Sequence, residues 1–227
     1  MSDATGITEF KPERFKAFVD AVVAIAMTLL ILPLLEAVAE AAADRLTTLE
    51  FLTEHAGQLM SFVLSFVLIA TFWLGHHRQY DEVQAVTRPL LWINVAWLAT
   101  IVWLPVPTAM LGQMDTDPMQ QVLYIGTLIL TQVTTLAARL YLLRHPALTS
   151  ASPDRIRHGV AADIAAMILF AIALGIAIAV GDQGYLALLL VMFTGVLARL
   201  LYRLRTRGSR RSGPARRNDS GTPAPPE

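Results

Sequence analysis

The chain contains no cysteine. This excludes disulfides, iron–sulfur clusters and thiol nucleophiles. The sequence also lacks a glycine-rich phosphate loop, a nucleophile elbow and an HExxH zinc motif, so the common signatures of enzymes are missing. We therefore do not expect an enzyme, and we expect no cofactor.

Apolar residues, by contrast, are abundant. They make up 55% of the 227 residues, and the mean hydropathy is +0.52. These values are too high for an ordinary soluble domain and are typical of a polytopic membrane protein. The formal net charge is zero. We expect the lipid bilayer as the surroundings of the chain and no nucleic-acid partner.

Six apolar runs each approach the roughly 20 residues that a bilayer-spanning helix needs. The runs lack the strict alternation of barrel strands, so helices must satisfy their backbone inside the bilayer. We predict an all-α integral membrane fold, with a lead (1–12), one six-helix domain (13–204) and a disordered basic tail (205–227). The six predicted helices lie near 13–35, 57–75, 90–111, 121–143, 160–180 and 185–203.

One side of the predicted bundle has almost no basic residues. Of the 18 lysines and arginines, 17 fall on the side that carries both termini, and only Arg45 falls on the other. Cytoplasmic loops carry the excess of Lys and Arg, so both termini are predicted to be cytoplasmic. The opposite, outer side carries the acidic residues Glu36, Glu40, Asp44, Glu50, Glu54, Asp115, Asp117 and Asp182.

Two segments are expected to depart from plain spanning helices. Pro105 and Pro107 lie inside the third run, so that helix is predicted to kink or end near Leu104. The acidic segment 36–56 is expected to be an outer loop that can form a short surface helix.

The first helix carries an apolar stripe at helical spacing. Ile25, Leu29 and Leu32 form the stripe, and Phe18, Ala21 and Val22 extend it. Thr28 lies at its edge, and Asp20 points roughly the opposite way. Two interpretations remain open from the pattern alone. The helix is either a packed membrane helix, in which the Thr28 hydroxyl bonds the carbonyl of Ala24, or a helix that lines a pore.

Polar residues at membrane depth are costly, so each needs a partner. We expect one hydrogen-bonded cluster where the first helix begins, the second ends and the third begins. Its members are Asp20, Trp73, His76, Arg78 and Asn94. Arg14 and Lys16 are alternative partners for Asp20, because they lie nearer to it along the chain.

A metal site is not expected. His76 and His77 are adjacent and point about 100° apart on a helix, whereas chelating pairs use i, i+4 spacing. Asp163 and Gln132 are expected to make contacts between helices. The TVGYG segment that forms carbonyl filters is also missing, so any ion filter here must consist of side chains.

Several segments, in this order and at these spacings, form a combined signature. The first is Arg14-x3-Phe18-x-Asp20, followed by Ile25, Thr28 and Leu32. The others are Trp73-x2-His76-x-Arg78, and Asn94 followed by Leu104-Pro105. Together they resemble the endolysosomal potassium channel family (the transmembrane protein 175 family) and its prokaryotic relatives, over roughly residues 10–112. One position departs, since Val19 stands where the family pattern has serine.

The resemblance implies a homotetramer with the first helix of each subunit around a central pore. It implies a potassium-permeable cation channel that also admits other monovalent cations, with potassium as the permeant ion. The family narrows at rings of bulky apolar side chains, which match Ile25, Leu29 and Leu32, and a threonine ring linked to selectivity matches Thr28. The single repeat, with its many alanines and arginines, suggests a multi-pass protein of a bacterial plasma membrane.

Two other classes of function were weighed. A proton-coupled secondary transporter or proton leak would use Asp20 or Asp163 as its titrating group. The sequence shows no inverted repeat, which argues against a transporter. A scaffold or integral-membrane enzyme without transport activity is the remaining alternative.

Overall fold

The structure is a computed structural model that describes residues 12–180. Within this range lie eight α-helices and a single-turn 3-10 helix, Pro146–Leu148. The α-helices are α1 Pro12–Leu29, α2 Leu32–Ala43, α3 Thr48–Glu54, α4 Ala56–Tyr80, α5 Arg88–Trp103, α6 Pro105–Gln113, α7 Pro118–Arg144 and α8 Pro153–Val180. The predicted lead up to residue 11, the sixth helix at 185–203 and the tail lie outside the described residues.

Five helical stretches are long and apolar enough to cross a membrane. They are Pro12–Ala43, Ala56–Tyr80, Arg88–Gln113, Pro118–Arg144 and Pro153–Ala179. The first combines α1 with α2, and the third combines α5 with α6. The described part of the chain is therefore all-helical, and its five candidate spans correspond to the first five apolar runs.

The third span breaks at Leu104, where the prolines predict it. Pro105 has no backbone N–H, so it cannot donate to the carbonyl of Ile101. The N–H of Leu104 bonds that carbonyl instead, at 3.2 Å. The helix then resumes as α6, with the N–H of Thr108 bonded to the Leu104 carbonyl at 3.1 Å.

The C-terminal end of the first span corrects the predicted boundary at residue 35. Helical structure resumes after a turn at residues 30–31 and continues to Ala43, through the first part of the segment expected as an acidic loop. Six of the residues from 37 to 43 are alanine or glutamate, which favour a helix. The rest of that segment contains the short helix α3.

The helix α3 begins with a capping box. The Thr47 N–H donates to Glu50 Oε2 at 2.7 Å, and the Glu50 N–H donates to Thr47 Oγ1 at 3.4 Å. The bonds that the Thr47 N–H and hydroxyl donate to the carboxylate hold the pKa of the exposed Glu50 carboxyl below its usual value. Local side-chain bonds therefore fix where α3 starts.

The basic flanks meet at one end of the bundle. The Phe15 ring of α1 lies 5.6 Å from the Tyr80 ring at the end of α4. The loop after α4 pairs with the loop before α8, through the Ser150 N–H and the Glu82 carbonyl at 2.9 Å and an ion pair between Arg155 and Glu82. The start of α1, the end of α4 and the start of α8 thus lie together.

Hydroxyl groups join the buried faces of the helices. Ser65 Oγ of α4 lies 2.9 Å from the Tyr124 hydroxyl of α7 and 2.8 Å from Thr108 Oγ1 of α6. Farther along α7, Thr131 Oγ1 lies 2.9 Å from Thr100 Oγ1 of α5. Because hydrocarbon offers no alternative partners, these bonds help to fix which helix faces meet.

Helices α7 and α8 are joined by a largely buried ion pair. Arg139 Nε lies 2.6 Å from Asp163 Oδ2, and the Asp163 side chain is 9% exposed. Asp163 is therefore a contact between helices, as expected from the sequence. Gly159 leaves space for the Arg139 guanidinium, because a Cβ at residue 159 would collide with Arg139 Nη1.

We predict that Gly159→Ala lowers the Tm of the protein, since the added methyl group must displace the guanidinium that pairs with Asp163. Overpacking of this kind costs about 1–3 kcal/mol. Gly175→Ala on the same helix is the control, because its new Cβ would meet no atom within 4 Å. Equal Tm values for the two variants in a thermal melt would contradict the prediction.

Candidate functional site

The apolar stripe lies on a face of α1 that the rest of the described chain leaves uncovered. Ile25 is 59% exposed and Leu32 is 49% exposed, and Phe18, Thr28 and Leu29 are exposed too. The opposite face of α1 is buried within the subunit. Its buried residues are Phe15, Val19, Val23 and Ala26. The two faces of the helix therefore have separate environments.

The Thr28 hydroxyl is satisfied locally, but not by the expected carbonyl. It donates to the carbonyl of Ile25 at 2.7 Å, and not to that of Ala24. In a helix a threonine hydroxyl can reach the carbonyls three and four residues back. The hydroxyl of Thr28 bonds the nearer of these two along the chain. The bond uses the single hydroxyl proton and leaves the oxygen lone pairs free to accept.

The backbone breaks directly after Thr28 and Leu29. The Ile31 N–H bonds the Thr28 carbonyl at 3.3 Å, and the ladder resumes when the Leu35 N–H bonds the Ile31 carbonyl at 3.1 Å. Between them, Pro33 has no N–H to donate to the Leu29 carbonyl. The Leu29 carbonyl therefore lacks its regular helical donor.

An apolar cavity of about 370 Å³ lies beside this break. It is lined by residues from both of the proline-bearing breaks, which therefore lie near each other. These residues are Leu29, Leu32, Pro33, Pro105, Val106, Ala109, Met110, Gln113 and Met114. Leu29 thus lines this space and also belongs to the exposed stripe.

Asp20 turns away from the stripe and bonds α4. Trp73 Nε1 donates to Asp20 Oδ1 at 2.7 Å. The alternative partners do not pair with Asp20, because Arg14 is exposed and Lys16 Nζ donates to the Asp81 carbonyl at 3.3 Å. A neutral donor between helices holds the carboxylate here, in place of a cation on the same helix.

Val19, the residue that departs from the family pattern, is buried beside this bond. It is 1% exposed and belongs to the packed face of α1. A methyl-bearing side chain at this position fills space and asks for no hydrogen bond partner. The loss of the family serine is therefore accommodated by packing.

His76 and Asn94 form a second pair. Asn94 Nδ2 lies 2.9 Å from His76 Nε2, which accepts the bond. The imidazole is stacked between two rings, with centroids 4.3 Å from Tyr80 and 4.4 Å from Trp97. Arg78 is exposed and makes no hydrogen bond or ion pair with the described residues, so it is not part of either pair. The other four residues thus form two hydrogen-bonded pairs, and these pairs are close enough for Asp20 and His76 to interact electrostatically.

Sequence reasoning missed Gln79, Tyr80 and Trp97, which surround the second pair. Two of them could have been found from their spacing in the sequence. Tyr80 stands four residues after His76, and Trp97 stands three residues after Asn94, so each shares a helix face with a member of the pair. Among the described residues there is no group of three His, Cys, Asp or Glu side chains that could hold a metal ion.

We predict that Trp73→Phe lowers the Tm, because it removes the donor to the Asp20 carboxylate and keeps most of the ring. A hydrogen bond to a charged group contributes about 1.5–3 kcal/mol. Trp103→Phe is the control, since Trp103 is 47% exposed and lies on α5 away from this bond. If both variants melt at the same temperature, the bond does not stabilise the subunit.

The comparisons with known proteins fit the geometry. The family described as "Endosomal/lysosomal potassium channel TMEM175" matches residues 14–105. A protein named a potassium channel from Streptomyces collinus is 34% identical over 100 residues, which are 44% of this chain and 47% of that protein. One from Chamaesiphon minutus is 28% identical over 109 residues, 48% of this chain and 53% of that one. The chain spans about half the length of the curated relatives it matches.

A solved structure covers more of the chain. It is the crystal structure of a lysosomal potassium-selective channel TMEM175 homolog from Chamaesiphon minutus, with a TM-score of 0.60 and 20% identity. The match covers 86% of this chain and 97% of that one, and it shows a shared fold. Residues 14–105 therefore match the pattern of the TMEM175 family, and this all-helical membrane protein shares its fold with a TMEM175 homolog.

Proposed function

We propose that the chain forms a potassium-permeable cation channel whose ion path runs along the exposed face of α1. The observation that carries this proposal is the break between Leu29 and Leu32. The Leu29 carbonyl lacks its regular helical donor there, inside an apolar span and on a helix with one face that the subunit does not cover. The family and the relatives named as potassium channels support the choice of ion.

The physical argument concerns the backbone. Exposed apolar side chains such as Ile25 and Leu32 are compatible with lipid. A carbonyl without a hydrogen bond is not, because hydrocarbon offers it no donor. Broken backbone is tolerated at membrane depth where it lies inside protein or lines a water-filled cavity. A face that carries such a break is therefore better suited to a water-filled path than to the lipid.

A single α1 cannot enclose a path, so several copies must contribute. We infer a homotetramer in which four copies of α1 surround one axis, since closed rotational symmetry gives each copy the same environment. Rings of Ile25, Leu29 and Leu32 would form the constriction and act as a gate that excludes water. Four Thr28 oxygens, each with free lone pairs, would replace part of the water shell of a potassium ion.

The orientation follows from the charge distribution. We propose six helices per subunit and a bacterial plasma membrane. The arginine-rich end supports the cytoplasmic placement of both termini. Glu36 and Glu40 of α2 would then lie at the outer mouth, where their charges raise the local cation concentration. At ordinary ionic strength, screening limits this effect to about 8–10 Å.

A proton-coupled transporter is less well supported by the geometry. The two carboxylates that it would use are both engaged, Asp20 by the Trp73 indole and Asp163 by Arg139. A titrating group has to exchange its proton along a path, and the partners of these groups lie between helices of the same subunit. We therefore retain the channel as the proposed function.

The proposal is tested with purified full-length protein in liposomes. We expect a potassium gradient to drive flux in protein-containing vesicles and not in empty ones. The mass of the detergent-solubilised particle should equal four chains of 24.9 kDa each. A monomeric mass would contradict the shared path, and flux that saturates and requires a pH gradient would favour a transporter.

We predict that Ile25→Asn raises the conductance, because a polar ring keeps the constriction hydrated. A tenfold increase corresponds to a barrier about 1.4 kcal/mol lower, which is the expected order of magnitude. The matched control is Ile168→Asn on α8, where the isoleucine is 55% exposed. If single-channel recordings give equal conductance in both variants, residue 25 does not line the ion path.

We predict that Thr28→Ala lowers the permeability ratio of potassium to sodium by about two- to fivefold, which corresponds to a difference of about 0.4–1 kcal/mol for the ring of hydroxyls as a whole. Thr71→Ala is the control, because Thr71 makes the same kind of bond, to the Val67 carbonyl at 2.8 Å, on α4. Reversal potentials under bi-ionic conditions measure the ratio. An unchanged potential in Thr28→Ala would exclude this threonine as a selectivity element.

A further inference from the structure

A small closed space lies between α4, α5 and α7, apart from the exposed face of α1. It has a volume of about 10 Å³. The side chains around it come from all three helices. They are His76, Gln79, Tyr80, Ile93, Asn94, Trp97, Thr134, Thr135 and Ala138. A volume of roughly 10–15 Å³ is the lower limit for one water molecule, so the space is too small for anything larger.

Four polar atoms around this space have no hydrogen bond partner among the described residues. They are Gln79 Oε1, the Tyr80 hydroxyl, Asn94 Oδ1 and Trp97 Nε1. All four side chains are at least nine-tenths buried. The Asn94 side chain also lies close enough to the Tyr80 hydroxyl for a hydrogen-bond interaction, but without the geometry of a well-formed direct bond. Buried polar atoms are almost always paired, so four in one place indicate a shared partner.

The chemistry of the four atoms identifies that partner. Two are carbonyl oxygens, which accept, and two are an indole N–H and a phenol O–H, which donate. A metal cation would be repelled by the Trp97 N–H, and an anion would be repelled by the oxygens of Gln79 and Asn94. A water molecule donates two hydrogen bonds and accepts two, which matches the set.

We propose that one water molecule binds here, donating to Gln79 Oε1 and Asn94 Oδ1 and accepting from Trp97 Nε1 and the Tyr80 hydroxyl. The water then joins α4 to α5. Gln79 Nε2 also donates to the Thr135 carbonyl at 3.3 Å, so the link extends to α7. Asn94 also bonds His76. The water therefore extends this pair into a chain of hydrogen bonds that runs from His76 through Asn94 and the water to Tyr80 and Trp97.

The orientation of the Asn94 amide matters to the proposal. With Nδ2 toward His76, the amide presents its oxygen to the space. With the amide reversed, the space would have three donors and one acceptor, and a water oxygen accepts only two bonds. A reversed amide would therefore overturn the proposed set of bonds.

Two experiments test the site. In a high-resolution map of the full-length protein, we expect one peak within about 3.2 Å of all four atoms. The second is a cycle of Tm values for Gln79→Met, Trp97→Phe and the double variant. Both single variants should lower the Tm, and the double variant should lose less than the sum, because the first change already removes the water.

The control cycle pairs Gln79→Met with Trp92→Phe, since Trp92 is on the same helix as Trp97 but is 67% exposed. In that cycle the decrease in Tm of the double variant should equal the sum of the decreases of the two single variants. Equal additivity in both cycles would overturn the proposal, as would a map in which Asn94 and Tyr80 bond each other directly with no peak between them. The map decides the question if a variant fails to fold.

Discussion

The constraint on which the rest of this structure depends is that backbone groups at membrane depth have no water to bond. Most of the chain meets it with unbroken helix. Three prolines, Pro33, Pro105 and Pro107, each remove a donor from the ladder inside two of the spans. At Leu104 the freed carbonyl of Ile101 is bonded again by a shorter turn. Pro33 removes the regular helical donor of the Leu29 carbonyl, on the helix that has one face uncovered by the subunit.

The side chains obey the same constraint by pairing across helices. The bonds from Trp73 to Asp20, from Asn94 to His76 and from Arg139 to Asp163 each join two different helices of one subunit. Polar groups of this kind are expensive when unpaired in hydrocarbon, so they specify which faces must meet. Apolar packing alone would not distinguish these faces from the lipid-exposed ones.

Some of this could be read from the sequence, and the reasons are specific. The lengths of the apolar runs predicted the spans, and the prolines predicted the break at Leu104. Helical spacing predicted that Ile25 and Asp20 lie on opposite faces of α1. Partners were harder to predict, because which side chains meet depends on the rotation of each helix. Arg78 was expected in the polar cluster and is exposed instead, whereas Trp97 was not considered and stacks on His76.

The division of α1 into two faces has a consequence for how the protein is made. The polar pairs described above are all completed within one chain, so a subunit can reach its fold before it meets another copy. At that stage the Leu29 carbonyl, on the helix with the uncovered face, still lacks its regular helical donor. Biogenesis would then proceed in two steps, in which insertion and folding of each subunit come first and association supplies the environment that this remaining group requires.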